Sequence, residues 1–444
     1  MKRFTQKELI FISFMLFSMF FGAGNLIFPA FLGRSAGDDV WLALAGFVVS
    51  AVGLPILGVL TVAKAGSFET LTRRVHPLFA VIFPFLIYVS IGPGLAIPRA
   101  GTIAYEMGMK PFLPEAAADK PSMLLLYTIV FFSIVLWLSL SPSKLVDRFG
   151  KLLTPILLCI IVIIFVKSLL TPIGSFSAPS EQYRDGPLLK GFLDGYLTMD
   201  ALASLVFGIV VANTIRAKGV EDSKKISKYM MIAGLGAGTL LAVIYSILGY
   251  LGASSATLGK AENGAQVLTI VMNDLFGQGG TMMLGALFTL ACLCVSIGLV
   301  ISCSQYFSGI LSFLSYRSWA VVLAALSTLV ANLGLTQILA VSVPILGAIY
   351  PMAVVLIILG LFDHYVNKVK DVYFTTILLT GLFSLTETIN VTFLSHSLDG
   401  VLGKFPLYDQ GVGWIVPSLI GMALGAMYSK VKQSASPANK KTAA

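Results

Sequence analysis

Between Glu8 and Arg34 the chain carries no charged side chain, and comparable apolar runs return along its 444 residues. This recurrence constrains the fold more than any other feature. An apolar helix of about 20 residues is as long as the hydrocarbon core of a bilayer is thick, about 30 Å. Only 11% of the residues are charged and 57% are hydrophobic, whereas soluble domains carry roughly 25% charged residues. A soluble body of this composition would lack the polar side chains to cover its surface. No hydrophilic block is long enough to form a separate soluble domain. The opening segment MKRFTQKELIFISFMLFSMF begins with basic residues but lacks a small-residue cleavage site. Its apolar run also exceeds that of a signal peptide, so it is expected to remain as a first span.

Hydropathy gives twelve expected spans: 9–32, 39–63, 77–103, 122–141, 150–170, 191–214, 229–252, 280–306, 318–335, 338–361, 372–394 and 411–429. An even number puts both termini on one face. Arg99, Asp200 and Glu387 fall inside spans. With every other charge assigned to its nearer face, the face of the termini holds 21 Lys/Arg and 7 Asp/Glu, and the other holds 8 and 12. The positive-inside rule makes the first face cytoplasmic. The expectation is a multi-pass protein of the bacterial cytoplasmic (inner) membrane with both termini inside. The net charge of +9 then comes from cytoplasmic flanks such as Arg216–Lys228 and Lys430–Lys441, and no nucleic acid is implied. Cys159, Cys292, Cys294 and Cys303 all lie in apolar sequence. They have neither loop positions suited to disulfides nor metal spacing, and are expected to fill space.

Two spans depart from the pattern. The first contains FFGAGNLIFPAFLG, residues 20–33, where Gly22, Gly24, Asn25 and Pro29 interrupt an otherwise apolar helix. The sixth, GYLTMDALASLVFGIVVANTIR, carries Thr198, Asp200, Ser204, Gly208 and Asn213. They stand five spans apart. Five is odd, so the second set of five enters the membrane from the opposite side, as in an inverted repeat. Paired interrupted helices in matching halves mark a midplane binding site. This gives residues 1–170 as a first repeat, 171–190 as an external linker rich in Pro and Gly, and 191–361 as a second repeat. Residues 362–444 form two added spans and a basic tail.

An unwound helix frees backbone N–H groups that suit a carboxylate and C=O groups that suit a cation. A zwitterionic amino acid needs both. Gly22, Ala23 and Gly24 allow close approach to the backbone, and Asn25 adds an amide. The alternatives are close helix packing for the glycines and a paired structural charge for Asp200.

GAGNLIFP (Gly22–Pro29), IPRAG (Ile97–Gly101) and GYLTMDALASLVFG (Gly195–Gly208) resemble the bacterial branched-chain amino acid:cation symporter family, within the amino acid-polyamine-organocation superfamily. The resemblance covers essentially the whole chain. It implies an all-α membrane protein of twelve transmembrane helices. Its five-plus-five inverted repeat would have discontinuous first and sixth helices and import leucine, isoleucine and valine with a cation by alternating access. By that resemblance Gly22, Ala23, Gly24 and Asn25 meet substrate. A second break follows at Ser204–Gly208, with Phe207 lining the side-chain pocket beside Ser204. Val206 stands where relatives often have glycine.

Sodium is the coupling ion the resemblance implies, held by the carbonyls of Ser18 and Phe21 and by eighth-span hydroxyls. Thr289 and Ser296 are seven residues apart and share a helix face, with Ser302 roughly along it. The alternative ion is a proton, for which Asp200 and Glu387 are the only acids within spans, because His76, His364 and His396 fall at span ends. Arg99 follows Pro93 and Pro98 and either snorkels to the headgroups or lines an outer vestibule, where it could gate or pair with Glu387. An apolar pocket separates Leu, Ile and Val poorly, since a methylene is worth about 1–3 kcal/mol.

No cofactor beyond the coupling ion is expected, and no enzyme. There is no metal-spaced cluster, nucleophile elbow or phosphate loop. GLGAG at 234–238 lies within an apolar span and fits helix packing. A channel would repeat a filter about an axis, whereas this chain has two opposed halves.

Overall fold

The computed structural model describes residues 4–118, 120–144, 146–363 and 370–435. His364, Lys440 and Lys441 lie outside them. Among the described residues every regular element is helical. The first apolar run is split into α1 (Gln6–Phe20) and α2 (Ala23–Ala36), and the second into α3 (Val40–Val48) and α4 (Leu54–Ala65), joined by a π-helical turn. The third contains α5 (Phe79–Val89) and α6 (Ala96–Gly108), the fourth is α7 (Pro121–Ser139) and the fifth ends in α8 (Thr154–Leu170). The sixth is split into α9 (Pro187–Tyr196) and α10 (Asp200–Ala217). Then come α11 (Ser223–Ser254), a connecting helix α12 (Gly264–Phe276), α13 (Gln278–Ile310), α14 (Tyr316–Ala331), α15 (Leu335–Leu361), α16 (Lys370–Phe393) and α17 (Ile415–Ala435).

Nine helical stretches among the described residues are long and apolar enough to cross a membrane, and α14 is a shorter apolar helix. Helix starts carry polar caps. Thr5 and Glu8 form a reciprocal capping box on α1, and Asp222, Asn263 and Ser315 cap α11, α12 and α14.

The chain divides into two compact units, Met1–Val59 with Tyr88–Ala340, and Leu60–Ile87 with Val341–Ala444. In the first unit the two split helices dock alike. The half-helix α2 lies along α11, and α9 lies along α3. If a two-fold relation exchanges spans one and two with six and seven, each of these contacts maps onto the other. Both contacts are made through glycine. A Cβ on Gly33 or Gly252 would strike the backbone carbonyl of Gly249 or Ala30. One on Gly46 or Gly191 would strike that of Leu188 or Ala43. Within a bilayer, close backbone approach replaces hydrophobic burial as the source of association.

The GLGAG stretch packs as the sequence suggests: Gly238 meets Val52 and Ile56, and Gly236 meets Ser13. The 171–190 segment is strapped to the α2–α3 connection. Asp38 N–H donates to Ser177 O at 3.0 Å and Ser180 N–H to Ser35 O at 2.9 Å. In this segment Tyr183 donates to Asp194. Burial, then the Asp194 carboxylate, pushes that phenol well above its ordinary range.

In the second unit α16 lies along α17. Gly421 and Gly425 admit Thr375, whose hydroxyl donates to Gly421 O at 2.7 Å. Arg74 pairs with Asp363 at 3.0 Å.

The glycine contacts predict a sharp contrast. Gly191→Ala places a methyl against a carbonyl that cannot rotate away, and should destabilise by about 1–3 kcal/mol. Gly279→Ala meets nothing within 4 Å and should be near neutral. Thermal unfolding in detergent measures both.

Candidate functional site

Helix α1 ends in extended backbone, with Phe21 at φ −73°, ψ 93° and Gly22 at φ −117°, ψ −169°. Any residue adopts these angles, so Gly22 is required for space: an added Cβ would lie 3.0 Å from Val295 Cγ1. The chain resumes as α2 with exposed N–H ends. Gly22 N–H donates to Asn25 Oδ1 at 3.0 Å, and Asn25 N–H to Gly22 O at 3.2 Å. Gly24 N–H has no hydrogen-bond partner among the described residues.

The sixth-span break does not fall at Ser204–Gly208. Helix α10 runs unbroken through that stretch, and the interruption is at 197–199, with Met199 left-handed at φ 67°. The Ser204 hydroxyl donates to Ala201 O at 2.7 Å within its own helix. Phe207 is fully buried and meets Phe20 edge-on, centroids 5.4 Å apart. The physical reason lies in the local sequence. ALASLVF contains no residue that opposes helix, whereas Thr198 and Asp200 offer polar groups at a helix start. Thr198 Oγ1 donates to Gly195 O at 2.8 Å and accepts from Asp200 N–H at 3.4 Å.

Asp200, first residue of α10, ties the two breaks together. Asn25 Nδ2 donates to Asp200 Oδ2 and to Tyr245 Oη, both at 2.5 Å. The tyrosine hydroxyl lies 3.3 Å from the same carboxylate oxygen. The Asn25 oxygen is already engaged by Gly22, so Asn25 is a bridge and not a free ligand. A small cavity of about 30 Å³ lies between the breaks. Its lining includes the first break (Gly22, Ala23, Gly24 and Asn25), Arg99, Thr198 and Asp200, together with apolar side chains among them Met19, Phe20, Ile91, Val295 and Leu299. Ser204 and Phe207 stand behind this lining. A second cavity, about 380 Å³, is lined by Ile27, Phe28, Ile103, Glu106 and Gln266 among others. Gly24 and Arg99 border both cavities.

The expected ion residues separate. The Ser18 hydroxyl is bonded to that of Thr154, which donates to Phe14 O at 2.8 Å. Cys294 also reaches Ser18, and Gly298 abuts Met19. Thr289 is elsewhere: its hydroxyl sits against Gly108, where the Tyr127 hydroxyl also approaches. Ser296 is buried and its hydroxyl is unbonded among the described residues. It lies midway in the heptad row Thr289, Ser296, Cys303. Both ends of that row touch the third apolar run, since Cys303 donates to Tyr88 O at 3.6 Å. The row thus meets the third apolar run at both ends, and Ser302, expected roughly along it, falls off it. Ser302, one turn beyond Gly298, is on the face that meets α1, its hydroxyl donating to Gly298 O at 2.7 Å. Glu387 is in α16 of the second unit and partly exposed. The one hydrogen bond of Arg99 among the described residues stays within the first unit, to Leu197 O at 3.5 Å.

A family model described as branched-chain amino acid transport protein matches residues 5–432. The chain belongs to this family. It is 46% identical over 423 residues to the branched-chain amino acid permease BraB of Bacillus subtilis, covering 94% of this chain and 95% of that protein. It is 40% identical over 426 residues to the branched-chain amino acid transport system 2 carrier protein of Pseudomonas aeruginosa, covering 96% of each. Among solved structures, MhsT in complex with L-phenylalanine superposes with a TM-score of 0.58 at 16% identity, over 94% of this chain and 98% of that one. Mhp1, a nucleobase-cation-symport-1 family transporter, gives 0.58 at 12% identity, over 97% and 93%. These likenesses show the five-plus-five transporter fold, and the family makes the chain a transporter and not an enzyme.

Sequence reasoning about this transporter missed Tyr245 and Thr154 as partners of the first split helix. Tyr245 sits in a featureless apolar run, and only the fold brings it in. Ala96, Arg99 and Ala100 were findable, because their i, i+3, i+4 spacing puts them on one face of α6.

The Asn25–Asp200 bridge makes a testable pair. Asn25→Asp sets two carboxylates together and should lower the thermal midpoint more than Asn25→Ala does. Adding Asp200→Asn exchanges the partners and should recover most of the loss. The expected coupling in the double-mutant cycle is about 1–3 kcal/mol.

Proposed function

We propose that the chain imports leucine, isoleucine and valine with sodium by alternating access. Substrate binds between the two helix breaks. The observation that carries this is the cavity joining them, whose lining combines the backbone of the first break, Arg99 and Asp200 with apolar side chains such as Phe20, Ile91, Val295 and Leu299. An α-amino acid with a branched aliphatic side chain combines charged and apolar parts in the same way. At about 30 Å³ the cavity has room on the scale of water molecules, so substrate entry requires the lining side chains to part. The names of the relatives, permeases and carriers for branched-chain amino acids, support the same substrates.

In this reading residues 1–170 and 191–361 are the two repeats, and the basic face is cytoplasmic. Gly22, Ala23 and Gly24 meet the substrate, with Asn25 holding their backbone in place. Sodium sits where the carbonyls of Ser18 and Phe21 end α1, with the hydroxyls of Thr154 and Ser302 within the same layer. Thr289 and Ser296 are left out of this ion set. A proton-coupled mechanism has one specific observation in its favour. Asp200 is buried and joins both breaks, so a change in its protonation would alter the bridge itself.

Leucine uptake into proteoliposomes under an imposed sodium gradient, compared with an imposed proton gradient, tests the proposal. Sodium should suffice, and Ser302→Ala should then raise the sodium concentration for half-maximal uptake several-fold while Thr289→Ala leaves it unchanged. Uptake on a proton gradient alone would discard the sodium site in favour of Asp200. No uptake on either, with correctly folded protein, would overturn the substrate assignment.

A further inference from the structure

Arg99 is 8% exposed, yet its guanidinium makes a single hydrogen bond among the described residues, and that one is long, 3.5 Å to Leu197 O. A guanidinium carries five N–H donors in a rigid fork suited to planar anions. A buried cation with most of its donors unengaged is costly unless an anion arrives. Asp200 faces the same cavity and attracts Arg99, but no hydrogen bond or ion pair joins them, and the Asp200 carboxylate is held by Asn25 and Tyr245.

What stands next to Arg99 is backbone. A Cβ built on Gly24 would lie 3.6 Å from Arg99 Nη2. Gly24 N–H is the donor at the start of α2 that no protein group takes up, at the positive end of the helix dipole. These two residues border both cavities, the 380 Å³ space and the 30 Å³ one. Glu106, the acid lining the larger of the two, is paired with Lys110 at 3.1 Å, so the anion-seeking groups common to both cavities are Arg99 and Gly24.

We propose that the carboxylate of the transported amino acid is bound between the Arg99 guanidinium and the Gly24 N–H, making Arg99 the residue that selects for the acid group. This rests on amino-acid transport as the function of the site. Gly24 is required there because a side chain would occupy the carboxylate's place: its Cβ would already lie 3.1 Å from the Phe28 ring.

The test is competition against radiolabelled leucine bound to detergent-purified protein, using 4-methylpentanoate, which keeps the carboxylate without the ammonium, and leucinamide, which keeps the ammonium without the carboxylate. Wild-type protein should favour leucine over leucinamide. Arg99→Gln should weaken leucine and 4-methylpentanoate by about 30-fold and leave leucinamide within about threefold, as expected for loss of hydrogen bonds to a charged group. Arg99→Lys, which keeps the charge without the fork, should fall between, and it decides the matter if Arg99→Gln does not fold. Equal weakening of acid and amide in Arg99→Lys, or unchanged leucine affinity in Arg99→Gln, would overturn the proposal. Failure of wild-type protein to bind leucine at all would instead overturn the transport reading on which it rests.

Discussion

A backbone polar group in hydrocarbon has no water to turn to, so a transmembrane helix can be interrupted only where something else answers its N–H and C=O groups. Much of the site follows from that requirement. At Phe21–Gly22 the answer comes from within the break, through the Asn25 side chain. At 197–199 it comes from Thr198 and from Arg99. Asn25 then spends its remaining donors on Asp200 and Tyr245, so one asparagine caps one half-helix and anchors the start of another. The two breaks are therefore mechanically coupled. A movement that tilts α2 away from α10 must break the hydrogen bond between Asn25 and Asp200 or carry Asp200 with it.

The same requirement explains where the glycines fall. Half-helices that carry a ligand site have few residues with which to hold their position. Here α2 and α9 are each pressed against a neighbour by backbone contact, through Gly33, Gly249 and Gly252 on one side and Gly46 and Gly191 on the other. Packing at that distance leaves little freedom to slide, because the atoms in contact are carbonyls and not rotatable side chains. Rigid half-helices joined by a polar bridge at the breaks suit a device in which blocks rock about a site, more than one in which the site itself melts.

Apolar runs, their ends and the existence of two unusual spans were legible because each is a property of contiguous sequence. The first break was also legible in position, since Gly22, Gly24 and Asn25 stand out locally. The second was misplaced. Ser204–Gly208 looks polar enough to break a helix when it is matched to a pattern, but an internal serine in a helix satisfies itself on the preceding turn, and Val206 adds nothing that opposes helix. The true break is marked by Thr198 and Asp200, polar residues whose groups serve a helix start. Its one surprising residue, Met199 in the left-handed region, has no signature in its side chain at all. Thr289 and Ser296 failed differently. Their spacing fixed a face, but a spacing cannot say which neighbour a face meets, and only tertiary packing turns that face toward Gly108 and Gly92.

Arg99 illustrates the limit from the other direction. In sequence it is a single charge after two prolines, and snorkelling would be the ordinary outcome for an arginine near the end of a span. Two features of the chain prevent it. The third apolar run is interrupted at Gly92–Leu95, where Gly92 has φ −85° and ψ −126°, so α6 starts afresh and Arg99 falls in its first turn and not near an outer end. The neighbouring Ala96 and Ala100 are small, so the guanidinium lies over the first break with nothing to lift it outward. A kink thus turns a charge that sequence left open between the headgroups and an outer vestibule into a buried one beside the two breaks. A helix so interrupted is a poor way to span a membrane and a good way to hold an arginine in the middle of one.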